Sequence, residues 1–302
     1  MSDEDISCPY CDGAAAPYVS ARDLNRRLSD VVYHLHRCEV CELLFVANPP
    51  VDLGRYYQQD YHHVPKDRAE LEQALPGQRE KIELLLPHKA GGDLLEIGPS
   101  VGYFCALAQD VGFDVSAIEM DEACVAFLSG ELGVRAVQSD DPAGVLADEE
   151  RMYDAICLWH SIEHLHEPWV VIERAIARLK PEGVLLVAAP NPYSRQARMM
   201  GRFWPHHDLP RHLFGLSMDW MEKLVGKHGM KTVLRTTRNK EGVYWNRFSW
   251  AMKFKGLARR LPWFIEARSW TLGMMFGKLF GFWEDKEGQG ACYVMVFQKS
   301  EG

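Results

Sequence analysis

One stretch limits what this chain can fold into more than any other: Asp93-Leu94-Leu95-Glu96-Ile97-Gly98-Pro99-Ser100-Val101-Gly102-Tyr103-Phe104. An apolar run of strand character (Leu94, Leu95, Ile97) ends in a turn with glycines at 98 and 102. A helical pattern over 103–111 follows, then a second strand pattern over 113–118 that ends in Glu119. The order predicts a strand–turn–helix–strand unit, whose two strands lie parallel because the helix carries the chain back. Glycine in the turn lets the backbone approach a bound molecule closely, and a carboxylate at the tip of the second strand can accept both hydroxyls of a ribose. A tight turn with a surface glutamate reads alike in the letters alone.

The same alternation runs on. Strands are predicted over 93–97, 113–118, 134–138, 153–158, 183–189, 230–237 and 291–298, and helices over 103–111, 121–132, 142–149, 167–179 and 217–228. That is the rhythm of a doubly wound α/β domain, in which ligands sit at the carboxyl ends of the strands. The spacing of Gly98, Gly102 and Glu119 resembles the class I S-adenosylmethionine (SAM) methyltransferases, with Ser100 standing where a middle glycine is expected. The resemblance implies a Rossmann-like seven-stranded methyltransferase sheet whose late last strand inserts antiparallel. It implies SAM as cofactor, held at the first turn by Glu96, Gly98, Ser100, Gly102, Tyr103 and Phe104, and at the ribose by Glu119 beside Met120. In Ser139-Asp140-Asp141, Asp140 is the acid in register for the adenine amino group; a surface turn is the competing reading. Trp159 and His160, after the fourth strand, complete the expected cofactor wall.

The run Trp159-His160-Ser161-Ile162-Glu163-His164 resembles, at Glu163-His164, the loop–helix segment of ubiquinone-pathway and related small-molecule methyltransferases. Its letters also satisfy the H-x-x-E-H of some zinc proteases, but that motif needs a long helix and a downstream ligand, and here it straddles a strand end. In the ubiquinone-pathway enzymes acids at this segment bind a divalent metal, and here His160 stands where an acid is expected. A catalytic metal near His160, Glu163 and His164 is left open. Asn191-Pro192-Tyr193 is similar to the amino-methylation motif but follows the fifth strand and has one proline, so it reads as a turn. The loop from Arg202 to Phe214 resembles a substrate-facing segment of the same subgroup. Methyl transfer to oxygen or carbon needs a proton acceptor, and histidine suits it. His164 and His212 are the candidates for base or substrate orientation; a histidine satisfied by backbone is the alternative for each.

Cys8-Pro9-Tyr10-Cys11 and Cys38-Glu39-Val40-Cys41 are paired C-x-x-C knuckles with strand patterns at 31–36 and 43–46. Four thiolates on two hairpin tips suit a structural tetrahedral zinc, since no coordination position is left open. The expected organisation is a zinc-ribbon-like four-cysteine domain over 1–48, a connector with cap helices over 49–90, and the methyltransferase domain over 91–302. In the connector Tyr56, Tyr57, Tyr61, His62 and His63 either cover the cofactor or pack the ribbon. A helical insertion over 240–285 precedes the last strand. Within it, 246–283 carries Arg247, Lys253, Lys255, Arg259, Arg260, Arg268 and Lys278 against Glu266, with Trp250, Phe254, Trp263, Phe264, Trp270, Phe276, Phe280 and Trp283. It reads as a surface for anionic membranes, as a lid over an apolar substrate, or as a packed helical pair with a solvated basic face.

A net charge of −8 argues against a surface that coats nucleic acid. The acidic start has no apolar signal segment, no run is apolar enough to span a bilayer, and the eight cysteines come without a secretory signal. A cytoplasmic protein, peripheral to the membrane through 246–283, is the expectation. The partner expected is a small-molecule acceptor, a saccharide or lipid-linked intermediate among them, methylated on oxygen or carbon. The rivals are an RNA methyltransferase that grips nucleic acid with the ribbon, and a SAM-binding adaptor without catalysis.

Overall fold

The computed structural model describes residues 6–57, 63–258, 262–284 and 286–299. Tyr61, His62, Arg259 and Arg260, and the side chains of Trp263, Phe264, Glu266 and Phe280, lie outside the described residues. In chain order the strands are β1 (Ala15–Ala21), β2 (Tyr33–Cys38), β3 (Leu44–Val46), β4 (Gly92–Ile97), β5 (Phe113–Glu119), β6 (Arg135–Gln138), β7 (Tyr153–Trp159), β8 (Leu179–Pro190), β9 (Phe214–Gly215), β10 (Met230–Thr236) and β11 (Cys292–Lys299). The chain divides into two compact units, each assembled from three segments.

The first unit takes Met1–Tyr56, Ala189–Met221 and Thr236–Val294. Its sheet has the order β1-β2-β3-β9. β2 pairs antiparallel with both β1 and β3, and β3 pairs antiparallel with β9 through Leu44↔Gly215 and Phe45↔Phe214. A small core of Tyr33, Leu35, Leu44, Val46, Tyr56 and Leu209 lies under the sheet. The unit also contains one fully buried cation. Arg211 has no solvent exposure; its guanidinium donates to Asp208 and Asp23, and Asp208 also accepts from the Asn25 amide. A charge at such depth is tolerable only because its donors meet carboxylates. Asn191 tests the turn reading of Asn191-Pro192-Tyr193: its amide donates to the Gly288 and Gly290 carbonyls, which closes a structural turn.

The unit also holds two long helices, Lys240–Ala258 and Trp263–Phe280. They approach so closely that a Cβ on Gly273 would lie 2.4 Å from the Ala251 Cα, and one on Gly277 would lie 2.9 Å from the Arg247 Cα. Only a residue without a side chain fits at either place.

The second unit takes Tyr57–Ala188, Glu222–Arg235 and Met295–Gly302. The seven-stranded sheet runs β10-β11-β8-β7-β4-β5-β6, so the last strand of the chain lies between β10 and β8. The pairs β4–β5, β4–β7, β5–β6 and β7–β8 are parallel. Strands covered on both faces read as unbroken apolar runs, and residues 184–188 of β8 (Val-Leu-Leu-Val-Ala) have no exposed surface. β8 starts earlier than its apolar run because Leu179 already pairs with Tyr153; the register then slips at the Glu182-Gly183 turn. The order reverses between β4 and β7, and the residues beyond those strand ends form the site described next.

Candidate functional site

At the carboxyl end of β4 the chain turns through three left-handed residues, Gly98 (φ 73°), Ser100 (φ 54°) and Gly102 (φ 84°), before helix Tyr103–Asp110. Gly98 is required twice over. Its φ favours glycine, and an added Cβ would lie 2.6 Å from the Cβ of Ser161. Ser161 is held there by its hydroxyl, which donates to the Ile97 carbonyl at 2.7 Å. Gly102 faces Leu128 and Leu132 in the same way, at 2.5 and 2.9 Å. Ser100, the departure from the glycine pattern, adopts the conformation glycine would have supplied, at a cost of roughly 1–2 kcal/mol for an L-residue. Its N–H donates to the Glu119 carboxylate at 2.8 Å, which helps hold the strained turn.

Glu119 ends β5 and is 5% exposed. Oε2 accepts from Ser100, and Oε1 accepts from the N–H groups of Met120 and Asp121 at 2.8 and 3.0 Å. A carboxylate offers about four lone-pair positions, so three are engaged and the remaining one belongs to Oε2. Two ribose hydroxyls would therefore have to share the carboxylate with a backbone donor.

Beyond β6, Asp141 is the N-cap of helix Pro142–Asp148 and accepts from Gly144 N–H at 2.9 Å. That assignment leaves the exposed Asp140 to the cleft. Beyond β7, His160 adopts φ 53° and starts the loop into the short turn Ile162–His164. A strand end followed by a single 3-10 turn cannot present zinc ligands one helical turn apart, which disposes of the protease motif.

These strand ends enclose a cleft of about 220 Å³ wholly within the second unit. Gly98, Ser100, Glu119, Met120, Asp140, Trp159, His160 and His164 line it, all singled out from the sequence. Tyr57, Ser139 and Ser161 line it as well, and of these three the sequence points to cofactor contact for Tyr57 alone. Two of the connector aromatics stand in different places. Tyr57 lines the cleft, where its hydroxyl meets His164 Nδ1 at 2.7 Å, whereas Tyr56 stacks edge-on against Tyr33 in the core of the first unit. Trp159 forms the apolar wall, with Phe104 5.4 Å from it and the Lys81 ammonium 5.2 Å from its ring centre. Its indole Nε1 is buried without a hydrogen-bond partner among the described residues, an orphan donor beside the cleft.

Other expected residues do not line the cleft. Phe104 packs on Trp159, Tyr103 is half-buried on the helix, and Gly102 packs beneath the turn. Glu96 is fully buried; its Oε2 accepts from the Cys105 thiol at 3.0 Å, and burial pushes its carboxyl up to about 7. His212 belongs to the first unit, where its Nδ1 lies 2.9 Å from the His206 carbonyl and its Nε2 lies 4.0 Å from Asp208.

The cysteine cluster occupies the first unit. Cys8, Cys11, Cys38 and Cys41 bring their sulfurs within 4.8 Å of one another. Cys8–Cys41 and Cys11–Cys38 are 3.7 and 3.5 Å apart, close to the edge of about 3.8 Å of a tetrahedron with 2.3 Å metal–sulfur bonds. The knuckles repeat one backbone plan: Asp12 N–H bonds the Cys8 carbonyl and Glu42 N–H bonds the Cys38 carbonyl, with both residues at positive φ. Gly13 lets the knuckles meet, since a Cβ there would lie 2.7 Å from Val40. Burial raises the thiols of Cys8 and Cys41. Burial acts the same way on Cys38, but donors from Cys41 and Val40 outweigh it and bring that thiol down to about 7.

Comparison with known proteins agrees with this geometry. A curated protein of Mycolicibacterium smegmatis, named a probable S-adenosylmethionine-dependent methyltransferase, is 34% identical over 110 residues, which cover 35% of this chain. The chain spans 41% of that relative's length. Among solved structures, a SAM-dependent methyltransferase from Archaeoglobus fulgidus shares the fold with a TM-score of 0.52 at 14% identity, covering 77% of this chain and 100% of that one. A cyclopropane synthase from Mycobacterium tuberculosis matches with a TM-score of 0.50 at 16% identity, covering 74% and 84%. The sequence profile described as the methyltransferase domain matches residues 68–234, more than half of the chain, and the protein therefore belongs to the methyltransferase-domain family.

Proposed function

We propose that the chain transfers a methyl group from SAM to an oxygen or carbon atom of a small-molecule acceptor. The carrying observation is the cleft itself, in which a glycine-floored turn, a strand-end carboxylate and a second acid converge at the reversal point of the sheet. The residues fit such a cofactor: Glu119 for the ribose, Asp140 for the adenine amino group, Trp159 as an apolar wall with an orphan donor, and Gly98 and Ser100 where backbone must come close. When bound, SAM supplies an activated methyl on a sulfonium, so the protein need only align the acceptor, exclude water and take a proton.

His164 is our candidate base. For its Nε2 to accept a proton, Nδ1 must carry the hydrogen and donate it to the Tyr57 hydroxyl. Tyr57 is thus a positioning residue that selects the tautomer. The opposite donor sense would place the hydrogen on Nε2 and leave the ring unable to act. His212 remains a second candidate for base or acceptor orientation.

The four cysteines are proposed to hold one structural zinc. Gathering four thiols makes full deprotonation unfavourable without a cation, and a divalent ion resolves that while matching the sulfur spacing. Reaction of purified protein with isotopically labelled SAM and metabolite extracts, read as label in low-molecular-weight products, tests the activity. Label confined to RNA would favour the nucleic-acid reading; SAM binding with no labelled product in any pool would favour an adaptor.

A further inference from the structure

The helical pair of the first unit leaves one face without a protein partner among the described residues. On helix Trp263–Phe280 the inward stripe is small: Gly273 and Gly277 pack against Lys240–Ala258, and the buried Ser269 and Gly281 continue the line. The opposite stripe holds Arg268, Leu272, Met275 and Leu279, spaced three and four apart and therefore on one side of the helix, and Phe282 follows in the turn Gly281–Trp283. Leu272 is 49% exposed, Met275 55%, Leu279 67% and Phe282 57%, with Trp283 beside them at 45%. A stripe of large apolar side chains about 15 Å long, at 1.5 Å per residue, is not an ordinary solvated helix face. No described helix is long and apolar enough to cross a membrane, so whatever meets this face meets it from the side.

The charge says what. Over 240–283 the sequence has Lys240, Arg247, Lys253, Lys255, Arg259, Arg260, Arg268 and Lys278 against Glu241 and Glu266, within a chain whose net charge is −8. Arg268 and Lys278 are exposed on the same helix as the apolar stripe, and Lys255 and Leu257 are exposed at the end of its neighbour. The acid that follows, Glu284, is buried and accepts from Trp250 Nε1 and the Gln196 amide, so it does not neutralise the face. We propose that this face docks on an anionic lipid bilayer, with the apolar stripe entering the headgroup boundary and the cations contacting lipid phosphates. A second copy of the chain fits less well, because a twofold contact through this face would bring Arg268 and Lys278 of both copies into one interface.

The test is co-sedimentation of the full chain with vesicles of phosphatidylglycerol and phosphatidylcholine, and with phosphatidylcholine alone. The expected result is binding to the anionic vesicles that weakens at least tenfold in high salt and on removal of the anionic lipid. Met275→Asp/Leu279→Asp should lose binding with an unchanged thermal midpoint, both positions being exposed. Should that variant fail to fold, Arg268→Glu/Lys278→Glu, which alters only exposed charge, should weaken binding by a similar factor. Absence of binding by the parent at low salt would overturn the proposal. So would binding untouched by a folded variant, or a parent dimer that Met275→Asp/Leu279→Asp converts to monomer.

Discussion

Adding one methyl group at Gly98 should disable the cleft from its floor. Gly98→Ala forces an L-residue to hold φ 73°, at roughly 1–2 kcal/mol, and sets its Cβ 2.6 Å from the Ser161 Cβ. Ser161 cannot simply turn away, because the clash is with its Cβ and its hydroxyl is tied to the Ile97 carbonyl. Overpacking of this kind costs about 1–3 kcal/mol, so the total should be about 2–5 kcal/mol. Urea unfolding measures that loss, and calorimetric titration with SAM measures the damage to the turn, expected to exceed tenfold in affinity. The double variant Gly98→Ala/Ser161→Gly removes the steric part and leaves the φ strain, so it should recover part of the stability. A Gly98→Ala protein whose stability matches the parent's, and which binds SAM equally well, would refute the placement of the turn against Ser161.

Other consequences follow from the same geometry. Tyr57→Phe should lower turnover by about tenfold or more while SAM affinity stays within about threefold, and should shift the pH–rate profile, since it frees the His164 tautomer; an unchanged profile would remove Tyr57 as a positioning group. The purified protein should carry one zinc per chain by elemental analysis, and Cys38→Ser should lose it and unfold at lower temperature; metal-free protein of full stability would contradict this. Burial holds the His207 imidazole down to about 4, against 6.5 ordinarily. The unfolded chain therefore takes up the proton first as pH falls, and stability present above pH 6.5 is lost between 6.5 and 4, by at most about 3 kcal/mol. Urea midpoints at about pH 7 and about pH 4.5 should show that loss in the parent and a flatter response in His207→Gln; equal slopes would exclude His207 as its source.

The second unit was legible because its signals are local. Gly98, Gly102 and Glu119 are set by one turn and one strand, and Asp140, singled out by its register in the resemblance, lines the cleft while Asp141 caps the next helix. Ser161 carries no such mark, because its role comes from standing opposite Gly98 across the sheet, and no local period reveals such a pair. Its one available sign is a small residue two positions after the end of the strand that neighbours the glycine turn. The first unit hid more. β9 is two residues long and far in sequence from β3, so it carries no alternation to read. Arg211 stands in a loop rich in His and Asp that resembles a substrate-facing segment, yet it is buried on Asp23, far away in sequence. Glu96 reads as a turn residue facing ligand, but the inward side of a fully covered strand places it on Cys105. The helical pair hides its packing in the sequence because small and polar residues (Asn246, Ser249, Ser269, Gly273, Gly277) are buried while large apolar ones (Leu272, Met275, Leu279) are exposed.

Calorimetric titration of SAM into the parent and into Glu119→Gln decides whether the strand-end carboxylate holds the cofactor. One site per chain is expected in the parent. The affinity should be weaker by about ten- to a hundredfold in Glu119→Gln, where an amide replaces the carboxylate that the backbone donors of Ser100, Met120 and Asp121 hold in place. No heat and no thermal shift at saturating SAM, or equal affinity in both proteins, would contradict it.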